Sequence, residues 1–335
     1  MLGLWWRIAL LALLATAVGV LGAVGSGGAA TTRSRPSQKR PSWYVEAPTV
    51  VQPGIYVSQA FAQTVLGYSP RENRRNSPPV CSVQSAPIVT DIGADPHGDL
   101  IVPAGETRTV AVFQGPQLCG AQVGSFPTRQ GGQPIAAVSR DALHGTIYVL
   151  VLGVSSDPFS SIAVCRLSTG CSRVLTNPAI SGGPVGIALD AEGNVYMAGY
   201  THGSSGAALV VFRNGRGKGK VITSYVNSSP GSLDVDPAGN LISMDQFTRG
   251  VGAVYVYSGC PNSCTPNGPW YLKARSTAGK VTKLGKRYIG ADYANTSVDV
   301  YRYSGTAGIK YLYSFSNGLT PSLEIDGLAP TPGLP

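Results

Sequence analysis

The chain has 335 residues, of which 43% are hydrophobic and only 13% are charged, and it contains 43 glycines and 25 prolines. This composition excludes a helical bundle, which needs long periodic runs of Ala, Leu, Glu and Lys, and it favours many short strands joined by turns. The net charge is +9, but residues 1–40 hold five bases and no acid, leaving 21 bases against 17 acids, a net of +4, in the remainder. Specific nucleic-acid binding is therefore not predicted from the charge.

The first thirty residues differ from the rest of the chain. Arg7 precedes an uncharged run of 18 residues, Ile8–Gly25, and small residues follow it. This order is typical of a secretory signal peptide, although the run also approaches the length of a membrane-spanning helix. Residues 1–30 are thus predicted to be a signal peptide or an uncleaved N-terminal membrane anchor. In both cases the body is secreted or extracytoplasmic, and only the N-terminal segment contacts a membrane.

Residues 31–43 are polar, basic and contain proline, which predicts a flexible linker. Residues 44–335 are predicted to form the folded body.

Six cysteines fit an oxidising compartment. Cys165 and Cys171 bracket "RLSTG", and Cys260 and Cys264 bracket "PNS", so each pair straddles a predicted turn. Cysteines so placed come within disulfide reach, which leaves Cys81 to pair with Cys119 by elimination. Six cysteines permit fifteen pairings, and zinc binding is the rival interpretation; the spacings lack a second C-x-x-C and no histidine neighbours them.

Glycine turns recur at a nearly constant interval. They are separated by 47, 48, 46 and 46 residues and lie at Gly98, Gly145, Gly193, Gly239 and Gly285. A period between 40 and 50 residues predicts a propeller or another repeat array.

Each repeat divides into four strand-like runs. In one repeat these are "PVGIALD", "NVYMAGY", "AALVVFRNG" and "GKVITSYV". The runs are rich in Val and aromatic residues and are bounded by Gly, Ser and Asn, as strands are. Four antiparallel strands in each repeat, stacked radially, predict the blades of a β-propeller.

The chain ends supply the blade count. "GIYVSQAF", "TVLGYS" and "VCSVQS" provide three strands before the first full repeat, and "PSLEIDG" near the C-terminus resembles the opening strand "GSLDVDPAG". We therefore predict an all-β, six-bladed β-propeller, monomeric, closed by N- and C-terminal strands in one blade, because closure removes exposed strand edges. In the alternative, "YVEAPTVV" opens the first blade and the tail stays free.

The repeat "PVGIALDAEGNVYMAG" resembles the NHL and SMP-30/gluconolactonase-like six-bladed propellers, particularly "PxGIAxDxxGNxYVAD" of the NHL repeat. The resemblance covers residues 54–326 and concerns the blade, not an activity. A WD40 propeller is less similar because the chain has no Trp-Asp dipeptide.

The repeated Asp-x-x-Gly-Asn segments are interpreted as turns and not as ligand sites. Asp caps tight turns through backbone N–H groups, and Gly or Asn accepts positive φ. The residues concerned are Asp190, Gly193, Asn194, Asp236, Gly239 and Asn240.

Binding residues are predicted in the loops between second and third strands, which share a face with the connections between blades. Rigid scaffolds commonly carry function on such loops. The candidates are Glu106, Tyr200, His202, Asp245, Asp292 and Tyr293. His97 and His144 lie in turns between first and second strands and are interpreted as solvated turn residues. No catalytic residue is assigned, since neither G-x-S-x-G nor H-E-x-x-H occurs.

A metal site is implied only by the resemblance to SMP-30-like enzymes, which hold a divalent ion such as calcium through one Glu, one Asp and two Asn. Asp234 and Glu324 occupy equivalent places in opening strands and are the metal candidates. The other repeats have Gly93, Ala188 and Lys280 nearby, so the Asn partners are missing and a lysine would oppose a cation.

A basic segment, "NGRGKGKV", lacks the spacing of a phosphate-binding loop and has Val221 in place of Ser or Thr. Its bases are Arg213, Arg216, Lys218 and Lys220, and they are interpreted as decorating an outer hairpin. In the alternative they form an anion-binding rim with Lys273, Arg275, Lys280, Lys283, Lys286 and Arg287.

The sequence thus predicts an exported binding module for a cell-surface polymer or protein. The alternatives are a metal-dependent, lactonase-like hydrolase or lyase with its site at the channel, and a spacer domain without a small-molecule site.

Overall fold

The structure is a computed structural model of the whole chain. It describes residues 52–59, 63–69, 76–84, 91–128, 132–152, 161–201, 206–246, 250–276, 278–281, 285–292, 295–321, 323 and 325–332. The predicted leader, linker and start of the folded body lie outside these residues. In the described part, no helix is both long enough and apolar enough to cross a membrane.

The described strands form six four-stranded antiparallel sheets, the blades. Blade 1 contains β1 (Ile55–Gln59), β2 (Thr64–Tyr68), β3 (Cys81–Gln84) and the last strand, β24 (Ile325–Pro330). Blade 2 contains β4 (Gly93–Ala94), β5 (Leu100–Ala104), β6 (Thr109–Phe113) and β7 (Gln122–Pro127). Blade 3 contains β8 (Gln133–Ser139), β9 (Ile147–Leu152), β10 (Ser161–Arg166) and β11 (Gly170–Thr176).

The remaining three blades follow in chain order. Blade 4 contains β12 (Gly183–Leu189), β13 (Val195–Tyr200), β14 (Ala207–Phe212) and β15 (Lys220–Val221). Blade 5 contains β16 (Pro230–Val235), β17 (Leu241–Asp245), β18 (Ala253–Ser258) and β19 (Thr265–Tyr271). Blade 6 contains β20 (Gly279–Val281), β21 (Arg287–Asp292), β22 (Ser297–Tyr303) and β23 (Ile309–Phe315). The predicted six-bladed fold is therefore confirmed.

The ring closes in blade 1 through strands from both ends of the chain. β24 pairs antiparallel with β1, and Ile55 lies opposite Pro330. Beyond this pair, the Gly54 N–H donates to Thr331 Oγ1 at 2.8 Å and the Thr331 N–H donates to the Gly54 carbonyl at 3.0 Å. The predicted closure is confirmed, and the alternative with a free tail is wrong.

The core lies between neighbouring blades. The first strands contact one another around the ring, and each buried cluster joins two sheets. Between blades 6 and 1, for example, Ile289 and Phe315 pack with Ile55 and Tyr68. The rings of Tyr68 and Phe315 are 4.9 Å apart. Large buried side chains facing each other across two sheets give the packed interior that a propeller needs.

The Asp-x-x-Gly-Asn segments form the predicted turns. Asp190 Oδ1 accepts the backbone N–H groups of Glu192 and Asn194, and Asp190 Oδ2 accepts Asn194 Nδ2 at 2.8 Å. Asp236 and Asn240 repeat this arrangement. Gly193 has φ +87°, a backbone conformation that glycine adopts without strain.

The three predicted disulfides are confirmed. Cys81–Cys119 joins β3 to the β6–β7 turn and thus links blades 1 and 2. Cys165–Cys171 and Cys260–Cys264 each close a hairpin. Disulfides persist in oxidising compartments, which is consistent with a protein outside the cytoplasm.

Candidate functional site

The topology divides the potential sites between two faces of the ring. Second-to-third-strand loops and blade-to-blade connections lie on one side, which we call the loop face. First-to-second-strand and third-to-fourth-strand turns lie on the other, which we call the hairpin face. The channel runs between them and is lined by the first strands.

The structure places the described candidates of the sequence prediction on the loop face. Glu106 is exposed in the β5–β6 turn, and Tyr200, Asp245 and Asp292 end β13, β17 and β21. The Tyr200 hydroxyl lies 3.0 Å from Ser229 Oγ. His202 and Tyr293 lie outside the described residues. These residues share a face as predicted, and their role as ligand contacts stays a prediction.

Two strand-ending residues on the loop face fix the backbone of blade-to-blade connections. Asp245 is 1% exposed, and its Oδ2 accepts the Ser228 N–H at 2.8 Å and the Ser229 N–H at 3.3 Å. At the end of β1, Gln59 exchanges hydrogen bonds with the backbone N–H and carbonyl of Thr320. Gln59 could not be recognised from sequence because its partner Thr320 lies 261 residues away.

Asp292 fixes the loop that follows it, between β21 and β22. Its carboxylate accepts the Asn295 N–H at 3.1 Å and Asn295 Nδ2 at 2.8 Å, and the residue is 1% exposed. The buried carboxylates on this face thus hold loops in place.

A buried ion pair occupies the channel wall. Lys280 Nζ lies 2.9 Å from Asp91 Oδ2 and donates to the Leu233 carbonyl at 3.1 Å. Beside it, Asp234 accepts the backbone N–H groups of Val235 and Val281. The adjoining cavity of about 40 Å³ has room for one or two water molecules.

The channel therefore carries its own cation. Burial lowers the pKa of Lys280, but the charges of Asp91 and Asp234 outweigh burial and raise the pKa above its ordinary value. The ammonium therefore stays protonated, and it forms a direct ion pair with Asp91. Within the described residues, no group of three or more His, Cys, Asp or Glu side chains is arranged to hold a metal ion.

The register of blade 1 differs from the sequence alignment that selected Glu324. Asp234 lies opposite Ile242 on the second strand, and the corresponding pair in blade 1 is Ala329 opposite Tyr56. Because β24 begins only at Ile325, Ala329 and not Glu324 takes the place equivalent to Asp234. Glu324 lies outside the described residues.

The hairpin face contains a cleft of about 360 Å³ between blades 2 and 3. Its lining residues are Pro96, His97, Asp99, Gln114, Gly115, Pro116, Asp141, Leu143 and His144. His97 and His144 lie in the turns where the sequence placed them, and both are exposed. No sequence motif indicates that these two turns line one cleft.

Asp95 joins the two blades beneath this cleft. Its Oδ1 accepts the His97 and Asp99 N–H groups, while its Oδ2 accepts the Ala142 N–H of blade 3 at 2.8 Å. Burial raises the pKa of Asp95 to about 6, and the charge of Asp99 adds to this rise. Two carboxylates thus lie side by side at the base of the cleft.

The basic segment forms a hairpin between β14 and β15, which we call the basic hairpin (residues 213–220). Arg213, Arg216, Lys218 and Lys220 are all exposed. The wider predicted rim is wrong in one member, because Lys280 is buried in the channel. Lys273 instead lies 5.0 Å from the centre of the Tyr311 ring on blade 6, and Lys283 lies outside the described residues.

No family model and no curated protein matches the chain. Several solved structures are similar to it. A protein of unknown function from Bacteroides caccae has a TM-score of 0.60 at 9% identity, with 84% of this chain and 99% of that one covered. Kuenenia stuttgartiensis hydrazine synthase has a TM-score of 0.58 at 14% identity, with 88% and 94% covered. A functionally unknown protein from Desulfotomaculum acetoxidans has a TM-score of 0.52 at 12% identity, with 80% and 81% covered. At these identities the similarity shows the propeller fold alone.

Proposed function

We propose that the protein is an exported propeller that binds an anionic cell-surface polymer, and that the basic hairpin makes the main contact. The observation that carries this proposal is an exposed turn, held by hydrogen bonds, whose cations Arg216, Lys218 and Lys220 have no carboxylate within ion-pair distance among the described residues. The leader and the three disulfides support export.

The basic hairpin is held by contacts with its own blade 4 and with both neighbouring blades, 3 and 5. From blade 3, Asn177 Nδ2 donates to the Lys218 carbonyl at 2.9 Å, and Arg173 donates to the Gly215 carbonyl at 2.8 Å. From blade 4, Asn194 Oδ1 accepts the Asn214 N–H. From blade 5, Asn262 Oδ1 accepts Arg213 at 2.7 Å. A turn fixed in this way loses little backbone entropy on binding a ligand.

The charges of the basic hairpin are available to a partner. In the part of the chain that the structure describes, no carboxylate lies within ion-pair distance of Arg216, Lys218 or Lys220. Arg166 and Arg173, on the outer strands of blade 3, add charge to one flank. Several like charges on one surface attract a polyanion more strongly than scattered charges do.

The lactonase-like alternative is less well supported. Lys280 supplies the channel with a cation of its own, and Asp234 accepts two backbone hydrogen bonds. Kinship with NHL and SMP-30-like propellers stays a proposal that rests on the "PVGIALDAEGNVYMAG" repeat. Glu106, Tyr200 and the other loop-face candidates lie on the opposite face from the basic hairpin, and they stay a separate prediction of ligand contacts.

The test measures binding of the full, oxidised chain to poly(glycerol phosphate), with neutral dextran as the comparison, over a range of salt concentrations. The triple variant R216S/K218S/K220S is expected to bind the polyanion about tenfold more weakly, because three exposed ionic contacts each contribute about 0.5 kcal/mol. Binding by the unaltered protein is expected to weaken as salt rises.

A matched triple variant separates the site from net charge. Arg108, Arg302 and Lys310 are exposed cations of blades 2 and 6, so R108S/R302S/K310S removes the same charge from other blades. This variant is expected to bind nearly as well as the unaltered protein. Equal weakening in both triples, or tight binding to phosphatidylglycerol vesicles without binding to the polymer, would contradict the proposal.

A further inference from the structure

The cleft between blades 2 and 3 has a distinctive chemistry. It presents two carboxylates, two imidazoles and an amide, and none of its lining residues is Lys or Arg. Its volume of about 360 Å³ lies within the range of small-molecule sites. On a body with 21 bases against 17 acids, a net charge of +4, this cleft is a local region of negative charge.

One wall of the cleft departs from the repeat that builds the ring. In blades 4 and 5, the residue four positions after the turn aspartate is Asn194 or Asn240, whose amide donates to that aspartate. Blade 2 has Asp99 at this position, four residues after Asp95. A carboxylate has no N–H to donate. The turn of blade 2 therefore lacks the hydrogen bond from the amide to the aspartate, and it has two neighbouring carboxylates instead.

Asp99 makes only one of the two hydrogen bonds that the asparagine side chain makes in blade 4. Its Oδ1 accepts the Gly115 N–H at 2.6 Å, as Asn194 Oδ1 accepts the Asn214 N–H at 3.1 Å. For Oδ2, no hydrogen bond is found among the described residues, although Asp99 is 3% exposed and lines the cleft. Solvent in the cleft reaches this oxygen, so a bound ligand can replace that solvent as its hydrogen-bond partner.

We propose that this cleft binds an amino sugar, with the ammonium group at Asp99. A carboxylate and an ammonium form a charge-assisted hydrogen bond, which accounts for an aspartate where the repeat has an asparagine. His97, Gln114 and His144 supply hydrogen bonds to hydroxyl groups, and three apolar side chains cover the C–H face of a ring. These are Pro96, Pro116 and Leu143.

The polar groups favour a hydroxylated ligand over a simple alkylamine. A lysine side chain would satisfy Asp99 but would make no use of the imidazoles and the amide, which are exposed and would stay hydrated. An amino sugar uses both kinds of group, and its ring is small enough for the cleft. This site is separate from the basic hairpin and does not depend on the proposed polyanion binding.

The experiment compares glucosamine, N-acetylglucosamine and glucose by calorimetric titration into the full chain. The unaltered protein is expected to bind glucosamine about tenfold more tightly than the other two, since only glucosamine carries an ammonium group. Asp99→Asn is expected to abolish this preference. The same substitution is expected to maintain or raise the melting temperature, because it restores the asparagine of the other blades.

The reverse substitution in blade 4, Asn194→Asp, is the matched control. It creates the same carboxylate pair in a turn that lies outside the cleft lining, so it is expected to lower the melting temperature and leave glucosamine binding unchanged. Leu143→Trp is a second test of the site, because it fills the cleft while keeping Asp99, and it is expected to weaken binding.

Three outcomes would overturn the proposal. They are no measurable glucosamine binding by the unaltered protein, equal binding by the unaltered protein and the Asp99→Asn variant, and tighter binding of lysine methyl ester than of glucosamine. The last result would assign the cleft to a lysine-bearing protein partner. Polyanion binding can be measured on the same variants, so failure of this proposal is distinguishable from failure of the proposed function.

Discussion

Lys280 shows how one side chain can set the chemistry of a channel. The residue is 7% exposed, yet its ammonium is matched by Asp91 at 2.9 Å and by the Leu233 carbonyl. Removing two charges from water costs several kcal/mol per ion, and close geometry is needed to offset that cost. The pair is therefore sensitive to loss of either partner, which makes the channel assignment testable.

Replacing Lys280 by methionine is expected to destabilise the protein by about 3 to 5 kcal/mol, because Asp91 stays buried without its counter-ion. The double variant Lys280→Met/Asp91→Leu is expected to recover most of this loss, since both charges are then gone. Chemical denaturation monitored by tryptophan fluorescence gives the free energies of unfolding. The exposed Lys286→Met serves as control, and an equally small effect at Lys280 would contradict the buried pair.

At the scale of strands and turns, the predictable features were those with local chemistry. The Asp190–Asn194 turn follows from side chains that bond their own backbone, and the third strands β6, β10, β18 and β22 follow from Val-rich and aromatic runs. The register of β24 could not be predicted in this way. Its turn is made by Thr331 and Gly54 from opposite ends of the chain, so no local motif marks the strand.

The cleft was hidden from sequence reasoning for a related reason. Two of its three turns, β4–β5 and β8–β9, are separated by 47 residues, and they come together through the hydrogen bond from the Ala142 N–H to Asp95. Sequence placed His97 and His144 in turns, but only packing of blade 2 against blade 3 makes them neighbours. Asp99 takes the position that Asn194 and Asn240 occupy in other blades, and this difference is visible in the sequence. It becomes informative once the register of the turn is known.

The three disulfides differ in the lengths of chain that they constrain. Cys81–Cys119 spans 38 residues, whereas Cys165–Cys171 spans 6. In the chain-entropy model the long loop contributes about 4 kcal/mol and the short loop about 2 kcal/mol. The C81A/C119A variant is therefore expected to unfold at lower denaturant than C165A/C171A, both measured under non-reducing conditions. Equal midpoints would contradict this ranking, and the fully reduced protein provides the lower limit.

At the scale of the whole molecule, closure of the ring connects stability to the proposed binding. The cleft and the basic hairpin both lie on the hairpin face. The cleft is built from turns of blades 2 and 3, and the basic hairpin of blade 4 is held by contacts from blades 3 and 5. Each blade is held by the next, so an opened ring would loosen these contacts. Blade 1 is the place where closure depends on a single strand, β24.

Deleting residues 325–335 removes β24 and leaves β1 as an unpaired edge. The deletion exposes partners of Ile325 and Leu328, which are 2% and 0% exposed in the intact ring. Loss of this burial is expected to cost about 5 kcal/mol and to lower the melting temperature by about 10 °C. The open edge is also expected to promote aggregation, which size-exclusion chromatography detects.

Two comparisons make the closure test specific. Deleting only residues 333–335 keeps β24 and Thr331 and is expected to leave the melting temperature unchanged. A synthetic peptide of residues 323–332, added to the shortened chain, is expected to raise its melting temperature with concentration, because a ligand that binds only the folded state stabilises it. If the shortened chain has the same melting temperature as the full chain and stays monomeric, the terminal strands do not hold the ring closed.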